Sequence, residues 1–168
     1  MKTVTPKAPE VAVRILKIAS CLSLSGKSTL VYQIGVKDKT DIQLRIASNS
    51  STGFFSQEWI SFNAIQQLFS KAPANKPITS FLLHKIYEGL SVNSPAFLFA
   101  ALKAEGLVER SKESPRCYDH SDPKGFLAEV KALVASSVDL KATDKPQKTV
   151  SKTTPEKAPS KSSKKKKT

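Results

Sequence analysis

Residues 91–110 read Ser-Val-Asn-Ser-Pro-Ala-Phe-Leu-Phe-Ala-Ala-Leu-Lys-Ala-Glu-Gly-Leu-Val-Glu-Arg. The stretch spells a helix that runs into a strand. Ser94 is a capping side chain and Pro95 suits the first helical position, where a missing N–H costs nothing. The run AFLFAALKAE has no breaker until Gly106, a stop residue, and Leu107-Val-Glu-Arg110 then favours extended backbone. Pro95, Phe99 and Leu102 are the predicted buried positions.

The surroundings extend this pattern. Upstream, Pro77 opens ITSFLLHKIYE, a predicted second helix that ends at Gly89. Downstream, Arg116-Cys-Tyr-Asp-His120 forms a second short strand after the polar turn Ser111-Lys-Glu-Ser-Pro115. From 77 to 120 the order is therefore helix, short turn, helix, strand, turn, strand. This order, the capped helix start and Gly106-Leu-Val ahead of a polar hairpin resemble the recognition helix and first wing strand of winged helix-turn-helix regulators. The resemblance covers about a quarter of the chain.

The resemblance implies DNA binding, with the helix 94–105 in the major groove and the 111–115 hairpin along the backbone. On helical spacing Leu98, Phe99 and Leu102 share one side, while Ala96, Phe97, Ala100, Lys103 and Ala104 share the other. Base readout needs Arg, Lys, Asn or Gln at base edges. That side offers Lys103, with Asn93 and Ser94 at the helix start. Phosphate contacts fall to Arg110, Lys112 and Arg116 on the wing and to Lys85 on the preceding helix. Such contacts position a protein without specifying sequence. A second reading makes Ala96, Phe97 and Ala100 a docking face for a protein partner.

Before residue 77 the chain is strand-rich. VAVRILKI (11–18), TLVYQIGV (29–36) and DIQLRIAS (41–48) predict an antiparallel meander. Leu30, Tyr32, Ile34 and Val36 share one face, as do Ile42, Leu44 and Ile46. Ser61 caps a helix that runs FNAIQQLFSKA to Pro73, with Ile65, Leu68 and Phe69 on its apolar side. Tyr32, Phe54, Phe55 and Trp59 are aromatic candidates for a single-strand stacking platform, or for the core. After the wing, Asp122-Pro123 starts a closing helix carrying Phe126, Leu127, Val130, Leu133 and Val134.

Charge is unevenly spread. Residues 141–168 hold ten lysines against two acids, a net +8, whereas the rest holds 17 Lys and Arg against 12 acids, a net +5. With one Val and two Ala as its only apolar residues, this tail predicts a disordered basic arm, ending in Lys164, Lys165, Lys166 and Lys167. A basic arm suits a polyanion, most often nucleic acid. No run approaches 18 uncharged apolar residues, so neither a membrane span nor a membrane partner is expected. Two cysteines, Cys21 and Cys117, predict no disulfide framework and fit a reducing compartment. The expected setting is the cytoplasm, with the nucleoid in a bacterium or the nucleus in a eukaryote.

One motif points elsewhere. Ser25-Gly-Lys-Ser-Thr29 ends like a phosphate-binding loop, but the first loop position is Cys21 instead of glycine, and strand-type sequence follows where a helix should. It reads as a polar loop between strands. Cys117, Asp119, His120 and Asp122 lie close in sequence yet lack the further Cys or His ligands of a zinc site. No nucleophile has a histidine held beside it by a motif. The expectation is a non-enzymatic protein without metal or cofactor, active in transcription regulation or as an accessory DNA-binding factor. Homodimerisation is common among winged-helix regulators, but no heptad here demands it.

The expected architecture is α+β: a flexible lead-in (1–10), a single domain (11–138) and the disordered Lys-rich tail (139–168). Within the domain, a three-stranded antiparallel sheet in 11–60 precedes a winged-helix-like unit with hairpin wing and closing helix in 61–138.

Overall fold

The computed structural model describes residues 12–73, 76–87 and 91–146. The lead-in 1–10, Gly89 and the tail from 147 onward, including Lys164 to Lys167, lie outside the described residues. The fold is α+β. Strands β1 (Arg14–Leu22), β2 (Thr29–Lys37), β3 (Asp41–Asn49) and β4 (Ile60–Ser61) form an antiparallel sheet in that order. The sheet thus has four strands where the sequence predicted three. The fourth escaped notice because two residues are too few to show alternation; they pair as Leu44 with Ile60 and Gln43 with Ser61.

Both tight connections follow from local chemistry. Residues 23–28 are a turn closed on itself: the Gly26 amide donates to the Ser23 carbonyl (2.8 Å) and the Ser23 amide to the Ser28 carbonyl (2.8 Å). The SGKST sequence is therefore part of a hairpin, and Gly26 takes the positive φ of 71° that the turn requires. At 38–39 both Asp38 and Lys39 have positive φ, as primed hairpin turns demand.

Pleating sorts the sheet residues by face. Ala19, Tyr32, Ile34, Val36, Leu44 and Ile46 point to the core, joined there by α1 (Phe62–Lys71), α2 (Ser94–Ala104) and α3 (Lys124–Ala135). Tyr32 is 1 % exposed, so it belongs to the core and to no stacking platform. The opposite face carries Gln33, Gly35, Gln43 and Arg45, with Trp59 laid against Gly35.

Three local predictions need correction. Residues 80–86 form a 3-10 helix instead of an α-helix. Its segment is pinned just upstream, where Ile78 bridges Tyr118 through bonds of 2.9 and 2.8 Å, and Thr79 remains extended. Ser61 precedes α1 without a side-chain cap, because its hydroxyl donates to Asp41 Oδ1 at 2.9 Å. Finally, the chain does not leave the fold at 139. The Leu140 amide donates to the Ile15 carbonyl (2.9 Å), and Gln33 Nε2 donates to the Ala142 carbonyl (3.1 Å). Residues 140–142 therefore lie along the free edge of β1 and against the outer face of the sheet.

Candidate nucleic-acid interface

The hairpin after α2 is placed by a helix stop. Gly106 has φ of 72°. Its amide donates to the Lys103 carbonyl (3.1 Å), and the Leu107 amide to the Leu102 carbonyl (3.0 Å). This is the Schellman pattern, which satisfies the last helical carbonyls and turns the chain sharply. Leu107 and Val108, each 1 % exposed, then anchor the hairpin root in the core.

A buried ionic cluster fixes the same corner to the sheet. Glu105, at the C-cap of α2, accepts from Lys17 Nζ at 2.9 Å and from the Tyr32 hydroxyl. Lys17 also donates to Glu129 Oε1 on α3 at 2.9 Å. Burial pulls the Lys17 pKa down, but hydrogen bonds and charges from the two carboxylates outweigh it and hold the pKa above 10.5. The Tyr32 phenol is raised by burial and by the Glu105 charge, so it stays a donor. Nearby, burial pushes the Cys21 thiol up to about 11, which leaves it a weak nucleophile at neutral pH.

Strands β5 (Val108–Arg110) and β6 (Tyr118–His120) then segregate charge by pleat. Arg110 lies opposite Tyr118, and Lys103 Nζ sits 6.0 Å over the Tyr118 ring. Lys103 and Arg110 thus share the side on which the hairpin meets α2. Glu109 pairs with Asp119 on the other side. Lys103, Arg110, Lys112 and Arg116 are all exposed, and among the described residues none forms an ion pair. Lys85 is exposed on the 3-10 helix.

The N-terminal half of α2 is arranged differently from the sequence expectation. Asn93, not Ser94, is the N-cap. Ser94 is 0 % exposed, and its hydroxyl accepts from the Ser56 amide at 2.7 Å. The Asn93 side chain donates to the Phe54 carbonyl at 2.9 Å. The 54–56 loop therefore occupies both polar groups proposed for base contact. Phe97 packs on Phe55 with ring centroids 6.0 Å apart, and Ala96 is half-buried. Ala100 is 2 % exposed and offers no surface to a partner. The physical reason is that AFLFAAL (96–102) is apolar all round, the signature of an enclosed helix segment. Insertion of this helix start into a major groove would first require the 54–56 loop to leave.

His120 lies edge-on to Phe69 with centroids 5.2 Å apart, and among the described residues no three His, Cys, Asp or Glu side chains gather as a cation would need. Among these residues, no helix is long and apolar enough to cross a membrane. Comparison with family models, curated proteins and solved structures finds no match to this chain.

Proposed function

We propose that this chain is a non-enzymatic DNA-binding protein, a regulator or accessory factor, that docks through phosphate contacts from the 108–120 hairpin and from its basic C-terminal arm. The observation that carries the reading is the set of four exposed cations, Lys103, Arg110, Lys112 and Arg116, spread over one corner and unpaired among the described residues. The +8 arm adds sequence-independent attraction. The order α1, 3-10 helix, α2, β5, β6 supports the winged-helix resemblance, with α2 acting as the spine that carries the wing. Because α2 presents few polar groups, the expected selectivity among duplexes is weak.

Competition among unrelated duplexes tests this. Binding within about tenfold across sequences supports phosphate docking, whereas one sequence preferred by roughly a thousandfold contradicts it.

A second reading, a protein-interaction adaptor, draws support from Phe54 and Val92, which are 76 % and 79 % exposed on two segments tied together by the Asn93–Phe54 bond. On that reading the docking surface lies beside the α2 N-terminus instead of on Ala100. Phe54→Asp then abolishes partner binding while Lys112 and Arg116 substitutions do not.

A further inference from the structure

The face of the sheet opposite the helices holds a cleft that the hairpin reading does not use. It measures about 820 Å³ and is lined by Ala12, Val13, Lys37, Gln43, Arg45, Gln57, Glu58 and Trp59. Its centre is a cation–π pair: the Arg45 guanidinium carbon lies over the Trp59 ring, 4.5 Å from its centre. Arg45 is fixed there because its Nε donates to Gln33 Oε1 at 2.8 Å, and Gln33 in turn donates to the Ala142 carbonyl. Gly35 makes room at the edge of the ring; a Cβ there would stand 3.2 Å from Trp59 Cη2 and closer still to Val13 Cγ1 (2.5 Å) and the Arg14 carbonyl (2.7 Å). The pair is thus held from three elements, with Arg45 half-buried and its two terminal nitrogens bonded to no other described residue.

A guanidinium held over an indole offers its own outer plane for stacking, and its two terminal nitrogens as a two-pronged donor. Nucleobases stack on both aromatic rings and guanidinium planes, and the guanidinium fork suits a phosphate. Gln57 and Lys37 at the rim add an amide and a second cation, against one acid, Glu58. Residues 140–142, which lead into the basic arm in sequence, lie along β1 and Gln33. We propose that the Arg45–Trp59 cleft binds single-stranded nucleic acid, stacking a base against the pair and holding the adjacent phosphate with Arg45 and Lys37. This site is independent of the hairpin cations.

Trp59 is the only tryptophan in the chain, so its emission reports directly on the cleft. The full-length protein is titrated with oligothymidylate and oligouridylate, with a labelled duplex measured separately by anisotropy. The expected result is saturable quenching of Trp59 by the single strands. Arg45→Ala weakens it roughly tenfold or more, and Arg45→Lys, which keeps the charge but loses the plane, weakens it nearly as much. Unchanged thermal unfolding and duplex binding in these variants shows that the fold and the hairpin site are intact. Single-strand binding seen by anisotropy with unchanged Trp59 emission overturns the proposal. So does quenching by a peptide copying residues 147–168 but not by either oligonucleotide, which makes the cleft a dock for the chain's own arm. Loss of duplex binding alone, with quenching retained, counts against the hairpin reading and leaves the cleft standing.

Discussion

Lys17 and Glu105 stand 88 residues apart in the chain and meet at 2.9 Å, with side chains only 10 % and 3 % exposed. Lys17 sits on a core-facing position of β1, where an apolar residue would ordinarily be placed, and its ammonium ends between the C-terminus of α2 and Glu129 of α3. The pair sets where α2 ends relative to the sheet, and Gly106 starts the hairpin from that point. The position of the candidate interface therefore depends on a buried charge pair.

Removing one partner strands the other. Lys17→Met leaves the Glu105 carboxylate buried with only Tyr32 as donor, and is expected to cost about 3–5 kcal/mol in urea unfolding. The double variant Lys17→Met/Glu105→Gln keeps the tyrosine bond without a buried charge and is expected to recover most of that loss. The half-exposed Glu129 contributes little, and Glu129→Gln is expected to cost under about 1 kcal/mol.

The same cluster predicts alkaline sensitivity. Lys17 and Tyr32 both have native pKa values raised above their ordinary 10.5 and 10.0. The folded state then holds these protons longer than the unfolded chain does. Their contribution is fully present below about pH 10 and declines as pH rises beyond it. Urea midpoints measured between pH 8 and pH 11 should fall, beginning near pH 9 with the half-buried Cys21 thiol and steepening above pH 10 as this pair and the buried Tyr87 phenol add to it. Tyr32→Phe should flatten the fall.

Ala100 distinguishes an enclosed helix from a docking face. At 2 % exposure it has no room for added methylenes. Ala100→Leu is expected to destabilise the protein by about 1–3 kcal/mol in thermal or urea unfolding. A position facing solvent would tolerate the change with no measurable loss.

These contacts show where sequence reading succeeds and where it stops. Strands β2 and β3 were legible because Leu30, Tyr32, Ile34 and Val36, like Ile42, Leu44 and Ile46, recur at every second position, and one buried face forces that period. The end of α2 was legible because Gly106 is a stop residue with a known mechanism. The burial of Ser94 was not, since its hydroxyl is taken by the 54–56 loop, which folds across from 38 residues away. The uniform apolarity of AFLFAAL (96–102) was the available signal, and it argued for enclosure on all sides up to Lys103. Lys17 carried a signal too, as a charge interrupting VAVRILKI, but nothing local names Glu105 as its partner. Trp59 was legible as an aromatic for stacking or for the core, but Arg45 read as an ordinary strand residue, because their pairing requires the β3 pleat and the return of the chain at 59.

The most direct test of nucleic-acid docking is a salt series of duplex anisotropy on three proteins: the full chain, a chain ending at Pro146, and the full chain with Arg110→Ala/Lys112→Ala/Arg116→Ala. Ending at Pro146 keeps the Leu140 and Ala142 contacts that hold the sheet edge. Each lost phosphate contact lowers the slope of log K against log salt by about 0.9, so the triple variant should lose roughly 2–3 from its slope. The chain ending at Pro146 should still bind duplex at low salt, with a smaller slope. If it does not bind at all, or if the triple variant keeps the full slope, the hairpin is not a DNA contact and the central claim fails.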